Sequence, residues 1–426
     1  MTRFVFLPVV AGSALLCGVT ASVRAQSLGE RITATGSGSA EMSFASRAGT
    51  CGDGRTIVGF GRSLFIWPNT SINGNWHGPR CEPGPLHVVF TLDRGVVTAV
   101  RAFAGSAPAV QTGVRQLGAV PALQASEYLL DLAVKLEGTA AGQALLAGAL
   151  ADSVTPWQRL IRIARDDARS RQLRGRALSL AGVTGGDAVV GELDAIARDS
   201  SQAEFLREGA LATLASETGG SGVPTILRMA ERGSEGRIQK KAIFWLGQTH
   251  DPRARQLLER IITAPGWADE LRGEAIFSLG QDDSDGESLP FLRKAYATLP
   301  TPKLKERVLQ AVAQSSTEQA TDWLLAVAQN DAEPIYDRKQ AVFWAGQQSE
   351  VPFARLAGLY AKTQDRELKK QLIFVYSQRD GRDATDKLIE IARSEPDRDL
   401  KKQAIFWLGQ RHDDRAVEFI RDILKQ

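Results

Sequence analysis

The residues of this chain that could carry out acid–base chemistry are few. His77, Asp53 and Glu82 lie in the N-terminal region, and an enzyme site built from them would need the three side chains to converge on one pocket. The sequence contains no G-x-x-x-x-G-K-[ST] phosphate loop, no H-E-x-x-H zinc motif, and neither of the serine-nucleophile patterns G-x-S-x-G and S-x-x-K. We therefore predict no catalytic residues and no enzyme activity.

The four histidines do not form a metal-binding pattern. His77 and His87 are near each other, but a two-histidine metal site would also need carboxylates at a fixed spacing, and none is evident. His250 and His412 occupy equivalent turns of a repeated segment, far apart along the chain. We interpret the histidines as surface, loop or turn residues, and we predict neither a metal nor a cofactor.

Cleavage of an N-terminal signal peptide would leave Cys51 and Cys81 as the cysteines of the mature chain. An even pair in an exported protein is typical of a disulfide. The bridge would close a loop of about 31 residues, which corresponds to roughly 3–4 kcal/mol in the chain-entropy model. The alternative, a reactive thiol pair, more often shows C-x-x-C spacing.

The secretory signal peptide is predicted in residues 1–25. An apolar stretch from Phe4 to Val19 follows Arg3, and the small residue Ala25 ends the segment. The alternatives are an uncleaved N-terminal anchor and lipidation at Cys17. We predict export to the periplasm or the medium, with no membrane span after cleavage.

Two sets of residues recur at a regular spacing and could together bind another molecule. Phenylalanines recur at one position of a repeated segment, with Gln310 as the exception, and lysines recur four residues earlier. The rows are Phe244, Phe277, Phe343, Phe374 and Phe406, and Lys240, Lys339, Lys370 and Lys402. If half exposed, they would form an amphipathic stripe that suits an acidic, partly apolar peptide or protein surface. The alternative is that the rings pack against the neighbouring repeat.

A third row is basic in seven of eight units, and we expect its cations to pair with acidic residues of their own or the next repeat. Its members are Arg174, Arg207, Gln239, Arg272, Lys305, Arg338, Lys369 and Lys401. The whole chain has 426 residues and a formal net charge of +3. That charge is too weak to imply nucleic acid as a partner.

These rows recur because the sequence itself contains internal repeats. The segment AIFWLGQ occurs at Ala242–Gln248 and again at Ala404–Gln410, with variants between. The closing glutamines at 248, 281, 314, 347, 378 and 410 are separated by 33, 33, 33, 31 and 32 residues. Extending this period back to Ala177 gives eight units, each with two helical patterns. One such unit cannot bury its own apolar face, so we predict a right-handed α-solenoid of stacked units.

The repeats resemble HEAT-like repeats, particularly the short bacterial type grouped with the phycobilisome lyases. The resemblance covers roughly residues 150–426 and is carried by an acidic turn, a leucine–basic pair such as Leu271-Arg272, an alanine such as Ala275, and a closing Leu-Gly. It implies a curved surface that binds other proteins. The HEAT-like deoxyhypusine hydroxylases hold two irons with His-Glu pairs, and this sequence has no His-Glu dipeptide.

The region before the repeats has a different composition. Residues 26–118 are rich in Gly, Ser, Thr and Pro and alternate with period two, which predicts a small β domain stapled by the disulfide. Within it, Leu86–Leu92 and Val96–Phe103 flank Asp93-Arg94-Gly95 and predict a β-hairpin. Residues 119–426 are assigned to the α-solenoid.

Two functions from different classes fit these sequence features. The first is a non-catalytic scaffold outside the cytoplasm that binds a protein or peptide along the solenoid, in envelope sensing or regulation. The alternative is an enzyme, or a ligand- or glycan-binding protein, with its site in the N-terminal β domain. Trp67 and Trp76 would bind the glycan in that case.

Overall fold

The structure is a computed structural model, and the chain divides into two compact units, Met1–Val154 and Thr155–Gln426. The predicted signal segment and the residues Trp67, Trp76 and His77 lie outside the described part of the chain. The described residues are 26–60, 63–64, 81–106, 112–231, 236–281, 288–315, 317–349, 351–423 and 425.

Two four-stranded sheets form the centre of the first unit, in the orders β7-β6-β1-β8 and β4-β3-β2-β5. The strands are β1 (Gly38–Phe44), β2 (Thr50–Gly52), β3 (Ile57–Phe60), β4 (Ser63–Leu64), β5 (Glu82–Pro83), β6 (Leu86–Asp93), β7 (Val96–Ala104) and β8 (Val114–Ala119). In the first sheet β1 pairs antiparallel with β6 and parallel with β8.

The predicted hairpin is formed by β6 and β7. Leu86, Val88 and Phe90 are buried, as the period-two pattern requires, because alternate side chains of a strand point to one face. The turn between the strands places Arg94 and Gly95 at φ 50° and 78°. Glycine adopts this left-handed conformation without a steric penalty, which explains its position in the turn.

Helices complete this first unit. They are α1 (Leu28–Thr33), α2 (Ala122–Ala133) and α3 (Gly138–Ala149). The sequence places residues 119–426 in the solenoid, but α2 packs on α3 and α3 packs on β7. The backbone N–H of Ala102 donates to the Gln143 side-chain oxygen at 3.0 Å. These contacts bury the apolar side of α3 against the sheet and that of α2 against α3, so the first unit extends to Val154.

The predicted disulfide between Cys51 and Cys81 is confirmed. It joins β2 to the residue immediately before β5, and in these neighbouring strands Cys51 is paired with Pro83 and Gly52 with Glu82. No helix in the described ranges is both long and apolar enough to cross a membrane.

The second unit is an alternation of first and second helices. The first helices are α4 (Trp157–Arg165), α6 (Val190–Arg198), α8 (Val223–Glu231), α10 (Pro252–Thr263), α12 (Ser288–Tyr296), α14 (Glu318–Gln329), α16 (Phe353–Lys362), α18 (Arg382–Ser394) and α20 (Asp414–Ile423). The second helices are α5 (Arg171–Gly185), α7 (Glu204–Ser216), α9 (Gly236–Leu246), α11 (Asp269–Gln281), α13 (Pro302–Gln314), α15 (Ile335–Gln347), α17 (Arg366–Gln378) and α19 (Arg398–Gly409). A short 3₁₀ helix, Gly186–Val189, precedes α6.

Helix packing follows the predicted repeat. Each first helix from α4 to α18 packs against the second helix that follows it, and each second helix from α5 to α17 contacts the next second helix along the chain. The acidic turns act as helix caps: Asp365 accepts hydrogen bonds from the N–H groups of Glu367 and Leu368 at 2.9 and 3.1 Å. Asp397 forms the same pair of bonds at the start of α19. Such caps satisfy backbone donors that have no partner within the helix.

The glycines that close the second helices allow the next second helix to approach. A Cβ atom added to Gly247 would lie 2.5 Å from the carbonyl oxygen of Ser278. One added to Gly280 would lie 2.7 Å from the Cβ atom of Ala311. The closing glycine is therefore a packing requirement between repeats.

Candidate functional site

The predicted aromatic row lies on the second helices of five repeats. Phe244, Phe277, Phe343 and Phe374 are half-buried, and Phe406 is 57% exposed. Each ring follows the buried alanine of its helix, or Leu372 in α17, by two residues, and at about 100° per residue it therefore lies on the side away from the core. The rings lie at equivalent positions of α9 and α11, and again of α15, α17 and α19.

Two pairs of neighbouring rings in the row contact each other. The ring centroids of Phe244 and Phe277 are 6.3 Å apart, and those of Phe343 and Phe374 are 6.4 Å apart, with nearly parallel planes in both pairs. Gln310 of α13 interrupts the row, and its side-chain oxygen accepts a hydrogen bond from Arg307. We name the two parts the N-terminal segment (Phe244 and Phe277) and the C-terminal segment (Phe343, Phe374 and Phe406).

The N-terminal segment lines an open groove of about 860 Å³ between α7, α9 and α11. Its lysines are neutralised by acids of neighbouring repeats: Lys240 contacts Glu270 at 2.7 Å and Lys241 contacts Glu208 at 3.3 Å. The hydrogen bond from Lys240 lowers the pKa of Glu270, whereas burial raises the pKa of Glu274. The groove thus offers apolar surface without a free cation among these lysines.

The lysines of the C-terminal segment have fewer acidic partners than those of the N-terminal segment. Lys339 and Lys370 share one carboxylate, Glu367, at 3.6 and 2.8 Å. The hydrogen bond from Lys370 lowers the pKa of Glu367. Lys402 is exposed and forms no ion pair with the residues that the structure describes. Two of the three lysines therefore share one carboxylate, and the third has no acidic partner in the described ranges.

Exposed apolar side chains concentrate in the same part of the second unit. Ile335 is 37% exposed and Tyr336 is 45% exposed, both in the first turn of α15. Tyr336 precedes Phe343 by seven residues, and residues with this spacing share a helix face. Sequence reasoning missed these two positions, because the three preceding repeats have Gly236-Arg237, Asp269-Glu270 and Pro302-Lys303 there. The signal was their apolar type at the start of a second helix.

The third predicted row forms some of the expected ion pairs and, in addition, hydrogen bonds to helix ends. Most of its members reach back to the carbonyl end of the preceding first helix: Arg174 donates to the oxygen of Ala164 at 2.9 Å, and Arg338 to that of Ala328 at 3.0 Å. Equivalent bonds are made by Arg207, Gln239, Arg272 and Lys401. Cations are favourable there because the last carbonyls of a helix lack partners and carry partial negative charge.

Four members pair with acids as expected: Arg272 and Arg338 with Asp269 and Asp331 of their own repeats, at 3.8 and 2.8 Å, and Lys305 and Lys369 with acids of the next repeat. Lys369 lies 3.5 Å from Glu395. Lys305 lies 3.5 Å from Glu333 and 3.6 Å from Asp337. Asp337 occupies the apolar slot of its repeat and is 1% exposed.

Candidate catalytic residues of the first unit are engaged in local structure. Asp53 accepts hydrogen bonds from the N–H groups of Arg55 and Thr56 at 2.8 and 2.7 Å. Burial raises the pKa of the Asp53 carboxyl, but these hydrogen bonds outweigh it and hold the pKa below its usual range. Glu82 accepts a hydrogen bond from the Ser106 hydroxyl at 2.8 Å.

His87 is not a loop residue. It lies in β6, where its Nδ1 atom is 3.1 Å from Glu41 and its ring stacks on Phe103. The other oxygen of Glu41 accepts a hydrogen bond from Gln116 at 3.0 Å. The described ranges contain no group of three or more side chains that could hold a metal ion.

Comparisons with known proteins give distant similarities to solved structures. No protein-family model and no curated protein matches the chain. The chain is similar to human deoxyhypusine hydroxylase in complex with glycerol, at 17% identity and a TM-score of 0.27, over 56% of this chain and 96% of that one. The complex of CpcE and CpcF of phycocyanin lyase from Nostoc matches at 16% identity and a TM-score of 0.28, over 61% and 95% of the two chains. Lipovitellin matches at 11% identity and a TM-score of 0.45, over 78% of this chain and 40% of that one.

Proposed function

We propose that the protein is a non-catalytic scaffold outside the cytoplasm that binds another polypeptide along the second helices of the unit Thr155–Gln426. The observation that carries this proposal is the aromatic row. Two pairs of its rings lie side by side on neighbouring second helices, and the rings of the row are partly exposed and mostly next to lysines. Aromatic and cationic side chains at the centre of an exposed apolar surface are typical of protein interaction sites.

The form of the surface favours a polypeptide over a small molecule. Small ligands are usually enclosed by a cleft that buries most of their surface. Here the rings extend over five helices, and the groove at the N-terminal segment is open. A long ligand can contact several repeats at once and gain from each of them.

A location outside the cytoplasm is supported by the disulfide between Cys51 and Cys81, because such bonds persist mainly in oxidising compartments. The signal predicted in residues 1–25 supports the same location. In envelope sensing or regulation, such a scaffold would present one bound polypeptide to another.

The proposal is tested by affinity capture from an envelope extract with three forms of the full chain. The first is the wild type, and the second carries Phe244→Ala, Phe343→Ala and Phe406→Ala. The third carries Val417→Ala, which removes a 48% exposed apolar side chain from the first helix α20. We expect a polypeptide retained by the wild type and the Val417 variant and lost by the triple variant. Equal retention by all three forms, with folding verified by circular dichroism, would contradict a binding site on the aromatic row.

A further inference from the structure

The three repeats of the C-terminal segment share a pattern that the other repeats lack. In each, a lysine is followed directly by a glutamine, and a phenylalanine lies three residues after that glutamine. The segments are Lys339–Phe343 (KQAVF), Lys370–Phe374 (KQLIF) and Lys402–Phe406 (KQAIF). At the same positions the N-terminal segment has Lys240–Phe244 (KKAIF) and Gly273–Phe277 (GEAIF). Each of the three repeats therefore offers the same set of a cation, an amide and a ring.

Helix geometry places these three groups on the solvent side of the second helix. Lysine lies one turn before the phenylalanine and about 40° to one side of it, and glutamine lies about 60° to the other side. The buried residues agree with this placement, because the position after the glutamine is fully buried in all three repeats: Ala341, Leu372 and Ala404. Gln340, Gln371 and Gln403 are only partly buried.

Because the helices stack side by side, the three sets form parallel rows that cross the repeats. The ring centroids of Phe343 and Phe374 are 6.4 Å apart. Two residues of an extended polypeptide span about 6.6–6.8 Å. The step from α15 to α17 therefore matches two residues of an extended chain, and at the next step the ring of Phe374 contacts Trp407 of α19, with 5.5 Å between the ring centroids. Side chains of such a chain alternate in direction, so one set can face the ring row and the other can face the lysine row.

We propose that the C-terminal segment binds an extended polypeptide in which apolar and acidic side chains alternate, two residues to each repeat. This inference rests on the proposed function and adds the chemistry of the partner. Apolar side chains contact the phenylalanine rings, and carboxylates pair with the lysines. The glutamine amides, which both donate and accept hydrogen bonds, bind the backbone of the partner.

Glu367 acts as an internal competitor for this ligand. It is exposed and contacts both Lys339 and Lys370. A carboxylate of the partner must displace it from at least one of the two lysines. Removing its charge frees both ammonium groups, so the variant Glu367→Gln binds an acidic ligand more tightly. A merely apolar surface would not respond in this way.

The test uses the full chain and two fluorescein-labelled peptides, with binding followed by fluorescence anisotropy. The first peptide repeats Leu-Glu-Val-Asp and so alternates apolar and acidic residues. The second has the same composition, with all apolar residues first and all acidic residues last. We expect the alternating peptide to bind about tenfold more tightly or better, which corresponds to about 1.4 kcal/mol. Equal affinity for both peptides would overturn the two-residue register.

Matched variants locate the site. Phe374→Ala and Lys402→Glu should each weaken binding of the alternating peptide about tenfold, and Glu367→Gln should strengthen it severalfold. Phe277→Ala removes the equivalent ring of the N-terminal segment and should leave the affinity unchanged. Because Lys402 is exposed, the Lys402→Glu variant also serves as a test that does not depend on repacking the helix.

Other outcomes would overturn the inference in distinct ways. Tighter binding of a fluorescein-labelled oligothymidylate than of the alternating peptide would assign the rings and lysines to nucleic acid instead. Failure of the alternating peptide to bind, with a polypeptide from the envelope extract still lost from the triple phenylalanine variant, would overturn this partner chemistry and leave the scaffold function standing. If the alternating peptide binds but the polypeptide captured from the extract is retained equally by the triple variant, the partner chemistry stands and the proposed scaffold site is overturned.

Discussion

Gly247→Ala should lower the free energy of unfolding of the second unit by about 1–3 kcal/mol, which is typical for overpacking a close contact. The added Cβ atom would lie 2.5 Å from the carbonyl oxygen of Ser278 and 2.8 Å from its Cβ atom. A backbone oxygen cannot rotate away as a flexible side chain does. The helices α9 and α11 must therefore separate, which exposes apolar side chains between two repeats. Urea denaturation followed by circular dichroism measures the effect.

The matched control for this variant is Gly273→Ala in α11. A Cβ atom at that position would have only the Cγ atom of Arg307 nearby, at 3.8 Å. Replacing an interior helical glycine by alanine without a clash should stabilise the protein by up to about 1 kcal/mol. The two substitutions are chemically identical, so opposite signs isolate the contact between repeats. A Gly247→Ala variant as stable as the wild type would contradict the close approach of α9 and α11.

Asp337→Leu should raise the free energy of unfolding at neutral pH by about 1–3 kcal/mol, because a buried ionic group often stabilises less than an apolar one of similar size. Both carboxylate oxygens of Asp337 are buried without a hydrogen-bond partner among the described residues. The nearest cation, Lys305, is 3.6 Å away. The other repeats have leucine or isoleucine in this slot, for example Leu304 and Leu368, both buried. Lys305 keeps Glu333 as a partner in the variant.

The pH dependence of this effect follows from the direction of the pKa shift. Burial raises the pKa of Asp337 above its unfolded value, and the charge of Glu333 raises it further, while Lys305 and Tyr296 lower it. A raised pKa means that protonation favours the folded state. The wild type therefore recovers stability as the pH falls through the folded pKa of Asp337.

The difference between Asp337→Leu and the wild type should consequently be largest at neutral pH and shrink in mildly acidic buffer. Thermal unfolding at several pH values measures it, with Asp337→Asn as a control that removes the charge and keeps the shape. A Leu variant less stable than the wild type at neutral pH would show that the pairing of Asp337 with Lys305 outweighs the cost of burying the charge.

The repeat period was sufficient to predict most of the second unit. Leucines and alanines recur about every 32 residues, and this spacing fixes which side chains must be buried, as Ile238 and Ala242 illustrate in α9. The disulfide followed from the cysteine count and the predicted export. The N-terminal boundary did not follow, because the apolar faces of α2 and α3 fit a repeat as well as a sheet. Only the contact of α3 with β7 decides between these alternatives.

The charged residues of the site were less predictable than its rings. The position of the arginine in Leu271-Arg272 indicates a cation near an acidic turn, but its bond to the carbonyl of Ile262 depends on the loop that joins the two helices. Likewise, the shared pairing of Glu367 with two lysines crosses a repeat boundary. Such contacts depend on the angle between helices, which the spacing of residues within one helix does not define.

We infer that the second helices of the C-terminal segment form the binding face, a claim that can be tested by the reactivity of their lysines. The full chain is acetylated with a limiting reagent, alone and bound to the polypeptide recovered from the envelope extract, and modification is quantified by mass spectrometry. We predict that bound partner protects Lys339, Lys370 and Lys402, and that Lys362 of α16 and Lys425 remain reactive. Protection of Lys362 with unchanged reactivity of Lys370 and Lys402 would place the partner on the first helices and contradict the claim.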